Sequence, residues 1–311
     1  MTYNGYYRHS LKLKRGVWMN ILVAGGSGFV GTGLGKYLAI KYKLTLLSRT
    51  KRLDKGSYTN VITWDELSAT NISDYDIVIN LCGYSIGQRR WSKFIKKKII
   101  SSRIEPTQRL VDLIGNKDIW LINASAIGFY NFSKEAQDED NYLSDISNQG
   151  FSQNIVSQWE KVLTISALQR YTILRFGVVI GDGGILEKMT MTVKLGILIK
   201  FASGKQLMSW ISEHDLVRAF EYVIENNYSQ KEIFNLTAPN VTSNEAMIAS
   251  IKQVTNAKLV LGMPRIMIKL MFGQMGNELL LSNQDIKPKN LVEKGFKFND
   301  ESIESALEKY L

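Results

Sequence analysis

The chain has 311 residues, 45% hydrophobic and 22% charged, with a net charge of +10, two histidines and one cysteine. That length can bury a sizeable core, as one large α/β domain or two smaller ones. A lone Cys82 excludes a disulfide framework, and no apolar run approaches the ~18 residues of a membrane span, so a cytoplasmic protein with no membrane partner is expected.

The positive charge is local. Four cations (Arg8, Lys12, Lys14, Arg15) fall in residues 1–18 and seven (Arg89, Arg90, Lys93, Lys96, Lys97, Lys98, Arg103) in 89–103, with no acid in either stretch. Residues 1–18 lack an apolar signal region and are expected to be a disordered extension, with the fold starting at Met19.

Residues 21–24 are an apolar run that reads as a buried strand. Glycines follow at 25, 28 and 31, and then a helical pattern carries Leu34, Leu38 and Ala39 on one side. Strand, glycine turn and helix form the context of a dinucleotide site. Gly25 permits the tight turn and Gly28 lets backbone approach a pyrophosphate. Gly31 lets the helix pack close to the strand, and the helix's free N–H groups and positive end then meet the phosphates. Ser27, Phe29 and Val30 complete the expected cofactor-binding turn.

A second strand, 44–47, ends in Ser48-Arg49-Thr50-Lys51-Arg52, where the adenosine ribose would be read. An NAD site wants an acid there, and none occurs before Asp54. Arg49 instead suits a 2′-phosphate, which favours NADP(H); the alternative is a solvated basic loop. Short strands are expected at 60–63 and 75–81, the latter ending Asn80-Leu81-Cys82-Gly83 beside the cofactor. Cys82 reads as a packing residue, since no histidine lies near it in sequence to activate it.

A long helix is predicted from about 91 to 114, with Trp91, Phe94, Ile95 and Ile99 on the apolar side and the lysines on the other. Pro106 should bend or divide it. Its basic face reads as solvated surface or an anion-facing rim. No nucleic-acid motif accompanies it, so nucleic-acid contact is set aside. A strand at 119–124 leads into Ser125-Ala126-Ile127-Gly128-Phe129-Tyr130, and residues 131–149 read as a polar loop covering a site. A helix near 152–168, a strand at 172–177 and a glycine turn at 181–184 follow. The alternation predicts a doubly wound parallel sheet of Rossmann type. Residues 259–281, rich in Leu, Ile and Met, are expected to form a core-facing helix rather than an interfacial one.

Taken in order, the glycine turn, Asn80-Leu81-Cys82-Gly83, Arg89-Arg90-Trp91, Ser102-Arg103 and the segment 125–130 resemble the atypical extended short-chain dehydrogenases/reductases. Trp159-Glu160, 174–181, Gly204-Lys205-Gln206, Ser209-Trp210-Ile211, Asp215-Leu216 and 235–240 extend the likeness. Pro264, 278–282 and 295–298 resemble that family's small C-terminal domain. The family is the one labelled "epimerase family protein". The resemblance implies NADP(H) held by Gly25, Ser27, Gly28, Phe29, Val30, Gly31, Arg49, Leu81, Cys82, Gly83 and Ser125. It implies a nucleotide-binding domain over 19–240, with a lid at about 183–212, and a small, mainly helical domain over 241–311.

It also implies either an oxidoreductase or nucleotide-sugar epimerase of unknown substrate, or a non-catalytic NADP(H)-sensing protein with a protein partner, linked in some relatives to cell division. Classical members use a Tyr and a Lys four residues later on one helix face. Here those places fall at approximately Ser152 and Val156. Tyr130/Lys134 comes too early and Tyr37/Lys41 lies in the first helix. Ser125 and Tyr130 remain the catalytic candidates, with Arg175 as an ion pair or substrate contact. His214 sits two places beyond the family's usual His, His9 lies in the extension, and no metal site is expected.

Overall fold

The computed structural model describes residues 19–51, 56–141 and 150–311. The expected extension 1–18, Arg52 and Asp54, and the end of the 131–149 segment lie outside them. Strand β1 (Asn20–Ala24) enters the glycine turn and α1 (Phe29–Leu38). Next come β2 (Lys43–Ser48), β3 (Asn60–Thr63), β4 (Ile77–Asn80), α2 (Lys93–Ile114), β5 (Trp120–Ala126), β6 (Ser133–Gln137), α3 (Phe151–Thr164) and β7 (Tyr171–Phe176). Beyond them lie β8 (Val178–Gly181), α4 (Gly184–Thr190), β9 (Ile197–Phe201), β10 (Leu207–Met208), β11 (Trp210–Ser212), α5 (Glu213–Glu225) and β12 (Gln230–Leu236). The C-terminal stretch holds β13 (Thr242–Ser243), α6 (Asn244–Val254), β14 (Leu259–Met263), α7 (Arg265–Phe272), α8 (Gln274–Leu279), β15 (Gln284–Ile286), α9 (Lys289–Glu293) and α10 (Ile303–Leu307).

Seven strands form one sheet in the order β12-β7-β5-β4-β1-β2-β3. Every pairing in it is parallel. Helices cover both faces, so the inner strands are apolar on both sides, as the runs 21–24, 44–47 and 77–79 are. One face carries Leu34 and Leu38 of α1 with Leu216, Phe220 and Val223 of α5. The other carries Leu110 and Ile114 of α2 with Val162 and Leu163 of α3. The chain moves outward in opposite directions from β1 and β4, which makes the crevice between their C-terminal ends the ligand position of such a sheet. The molecule therefore has the Rossmann-type doubly wound fold, with a largely helical C-terminal region.

Four local expectations need correction. Pro106 does not divide α2, which runs unbroken for 22 residues. Side chains engage carbonyls around the proline: Thr107 Oγ1 donates to Arg103 O and Arg103 Nη1 to Ile99 O. Phe94 is not on the packed side but 74% exposed. The segment from 131 is not all loop, because β6 pairs in parallel with β15, from the far end of the chain. Residues 259–281 do not form one core-facing helix. They form β14, α7 and α8, and in α7 only Ile268 is buried.

The C-terminal stretch returns to the preceding part of the chain repeatedly. β13 pairs with β10, β14 with β9 and β15 with β6. Leu291 and Phe296 join the core cluster of α1 and α5. Among the described residues no helix is long and apolar enough to cross a membrane.

Candidate cofactor and catalytic site

The three turn glycines are required for different reasons. Gly25 has φ +76°, and a Cβ there would lie 2.8 Å from the Leu81 carbonyl, so this residue lets the end of β4 press against the turn. A Cβ on Gly31 would lie 2.4 Å from Gly26 Cα, which would push α1 off its own turn. At Gly28 the chain imposes no such limit. Its φ is −81°, and a Cβ would meet only Gly25 O, at 3.6 Å. Gly28 and Ser27 are exposed, α1 has no side-chain cap, and its first turn holds no acid. Free N–H groups at a helix start with an open approach suit a phosphate.

Tyr58, which sequence reasoning missed, fastens this turn from beneath. Its hydroxyl donates to Gly31 O at 2.8 Å and lies 3.2 Å from Gly26 O. Phe29 turns toward the other wall, where a Cβ on Gly183 or Gly184 would come within 3.2 or 3.1 Å of its ring. The glycine turn at 181–184 thus closes on the binding turn.

Arg49 is exposed just past β2, with no hydrogen bond or ion pair among the described residues, whereas Lys51 pairs with Glu66. Burial pushes the Cys82 thiol up to about 12, and the nearby Arg49 guanidinium acts the other way. A thiol so high is inert at neutral pH. Arg49 and Cys82 therefore flank the crevice from the ends of β2 and β4. The end of β4 is itself held: Asn80 Nδ2 donates to Thr107 Oγ1 and Asn123 Oδ1, while Asn80 Oδ1 accepts from Cys82 N. Arg103 leaves the basic face altogether. Its Nη1 donates to Tyr84 O, its guanidinium lies over Trp159, and desolvation lowers its pKa to about 10.

Ser125 and Tyr130 come together in one buried network. Ser125 Oγ donates to Glu160 Oε1 at 2.6 Å. Glu160 takes Arg175 in a two-point pair, Nε to Oε1 at 2.8 Å and Nη2 to Oε2 at 2.7 Å. Arg175 Nη1 then donates to the Tyr130 hydroxyl at 2.8 Å, and that hydroxyl donates to Asn235 Oδ1 at 2.8 Å. Burial would lower the Arg175 pKa, but the Glu160 carboxylate more than reverses this and the guanidinium stays charged. Burial raises Tyr130 to about 12, against Arg175 and Asn235. Ile286 of β15 packs on Tyr130, which is 1% exposed. Of the two readings of Arg175, the ion pair is the one present.

Ser152 and Val156 sit one turn apart on α3, both against Gly128 at 3.4 and 3.5 Å from its would-be Cβ. Neither is a proton donor of the Tyr/Lys kind. Ser152 is instead engaged by Glu278 of α8, whose carboxylate accepts from Phe151 N, Ser152 N and Ser152 Oγ at 2.9, 2.8 and 2.6 Å. A carboxylate on the first N–H groups of a helix is a favourable cap. Glu278 was visible in the sequence only as part of a motif, with nothing to link it to α3. His214, Asp215 and Asp300 converge, but their carboxylates are taken by Arg218, Lys309, Ser212 and the N–H groups of Asn299 and Asp300. Asp215 and Asp300 thus serve to pin the C-terminal stretch to α5.

Residues 21–237 match the NAD dependent epimerase/dehydratase family, and residues 263–310 match a domain of unknown function. The epimerase family protein Mb2239 of Mycobacterium bovis is 32% identical over 92% of this chain and 96% of its own length. The human epimerase family protein SDR39U1 is 29% identical over 93% and 98%. A crystal structure of human SDR39U1 with NADPH superposes with a TM-score of 0.84 at 28% identity, covering 94% of this chain and 99% of that one. UDP-glucuronic acid 4-epimerase from Bacillus cereus, at 16% identity and a TM-score of 0.75, shares the fold, with 94% and 98% covered.

Proposed function

The chain belongs to the NAD dependent epimerase/dehydratase family, and from that premise we propose that it binds NADP(H) at the crevice between β1 and β4 and acts as an oxidoreductase. The observation that carries this reading is Gly28. Nothing in the chain explains a glycine there, whereas a phosphate brought against the start of α1 does. Leu81, Cys82 and Gly83 line the route toward the nicotinamide, and Arg49 takes the 2′-phosphate. The human relative crystallised with NADPH supports the same choice. When bound, the nicotinamide supplies a hydride at its C4. Ser125, at the C-terminal end of β5, would orient a substrate carbonyl by turning its hydroxyl away from Glu160, and Tyr130 positions that strand end through Arg175. In this reading 19–240 is the nucleotide-binding domain, while 183–212 and 241–311 cover the substrate side. Epimerisation is less favoured, because Ser152 and Val156 stand where a Tyr/Lys pair would be needed.

That same replacement favours a second reading. A chain that holds NADP(H) without a free proton donor would serve as a sensor for a protein partner. Calorimetry with NADPH and NADH tests the shared premise. Arg49→Ala should weaken NADPH binding about tenfold or more, the worth of a charge-assisted contact, and leave NADH unchanged. Equal loss for both cofactors refutes the assignment of Arg49. NADPH oxidation against a panel of carbonyl compounds then separates the readings, since turnover excludes the pure sensor.

A further inference from the structure

The two-stranded sheet of β9 and β14 is apolar on both sides. Leu198 and Val260 face the cluster built on α6 and α10. By strand alternation Ile197, Ile199 and Phe201 point the other way, beside Leu259, Leu261 and Met263 in the parallel register. None of these six joins a core cluster, and Leu259 and Leu261 are 51% and 46% exposed. Helix α7 continues the surface directly from β14. Ile266 and Leu270, one turn apart, are each 71% exposed, and Met267 and Met271 are exposed beside them. Where Arg90 Nη1 donates to Leu270 O, the surface meets the basic start of α2 and its outward Phe94.

The charge within the segments that build this face has one sign, and the carboxylate paired with Lys200 of β9 comes from Glu245 of α6. Residues 191–211 and 256–276 contain no acid. Lys194, Lys258, Arg265 and Lys269 are exposed and have no carboxylate partner among the described residues. A second copy meeting the same face would bring like charges together, so the face is not self-complementary. Its cations also differ from those of a protein interface, where lysine is depleted and Arg enriched. Strands β9 and β14 and helix α7 contain no Trp or Tyr, and lysine dominates the cations of the two stretches. Aliphatic side chains ringed by lysines match the in-plane face of a helix lying at an anionic lipid surface.

We propose that the β9–β14 sheet and α7 form a docking face for a bilayer bearing anionic lipid. Ile266, Met267, Leu270 and Met271 enter the acyl boundary and the flanking cations meet lipid phosphates. This is surface association by a chain without a span, and it stands apart from the cofactor assignment.

Co-sedimentation of the full chain with vesicles tests it, using phosphatidylcholine alone and equal parts of phosphatidylcholine and phosphatidylglycerol. Binding to the mixed vesicles should be about tenfold tighter or more, and should weaken as salt shortens the range of the charges. Ile266→Asp with Leu270→Asp should abolish it. The unfolding temperature of that variant and its NADPH titration against the parent chain report whether the fold is kept. If that double variant is unfolded, Lys258→Glu with Lys269→Glu replaces it and should lose the preference for the mixed vesicles. No sedimentation with mixed vesicles at low salt overturns the proposal, as does equal binding to both compositions or undiminished binding by a folded variant. Loss of a dimer on introducing the aspartates, without vesicle binding by the parent, would assign the face to a second copy instead.

Discussion

Replacing Glu160 with Gln probes the buried network most directly. Among the described residues the Glu160 carboxylate is the only acid bonded to Arg175, and both side chains are nearly solvent-free, at 6% and 3% exposure. The substitution keeps the volume but removes the charge. The guanidinium then stays desolvated with one neutral partner of its own, the Tyr130 hydroxyl. Breaking a buried pair from one side costs about 3–5 kcal/mol, most of it the uncompensated charge. In a chain of this length each kcal/mol moves the midpoint by roughly 2 °C, so thermal unfolding should fall by about 6–10 °C. The double change Glu160→Leu with Arg175→Met removes both charges and should cost less than Glu160→Gln alone. Calorimetric unfolding of Glu160→Gln, of Glu160→Leu, of Arg175→Met and of the double variant, each beside the parent, checks this. A Glu160→Gln protein within about 1 kcal/mol of the parent would refute the reasoning, as would a double variant costing the sum of its parts.

Two further expectations follow from other sites. Gly28→Ala should leave the unfolding temperature nearly unchanged and abolish NADPH binding in calorimetry, whereas Gly31→Ala should destabilise the fold itself, because its Cβ meets backbone at 2.4 Å. Glu139 is buried, its Oε2 has no hydrogen-bond partner among the described residues, and burial raises its pKa above the usual carboxylate range. The folded chain thus holds this proton more tightly than the unfolded chain, so Glu139 subtracts stability as pH rises through the ordinary carboxylate pKa toward its raised value. Glu139→Gln can still accept from Asn235 N, now at 2.8 Å from Oε1. It should gain stability over the parent across that window in denaturant unfolding, with no gain below it.

Much of the sheet was legible because its signals are local. Apolar runs between Gly-rich or polar segments mark β1, β2, β4 and β5 whatever lies elsewhere in the chain. The turn glycines are equally local, since a φ of +76° at Gly25 or a close approach at Gly31 is settled within a few residues or by the adjacent strand. What escaped depends on partners distant in sequence. The polar stretch Ser133–Gln137 has no strand pattern and is extended because Gln284–Ile286 pairs with it. Tyr58 is an unremarkable aromatic until the turn is folded onto it. The apolar stretch 259–281 misled because apolarity was equated with burial, and α7 leaves that same character in solvent. Ser125 and Tyr130 stood out as catalytic candidates, but sequence could not reveal that Glu160 and Arg175 engage their hydroxyls.

The hold of Glu278 on α3 joins residues 126 positions apart. Gly150 precedes that helix without a side chain to cap it, and a Cβ there would lie 2.9 Å from the Glu278 carboxyl carbon. A growing chain that has just released α3 from the ribosome therefore exposes an uncovered, electropositive helix end until Glu278, 126 positions beyond Ser152, has been made. Completion of that helix end is thereby tied to a segment translated well after it, and a product truncated before Glu278 would carry α3 without its carboxylate cap.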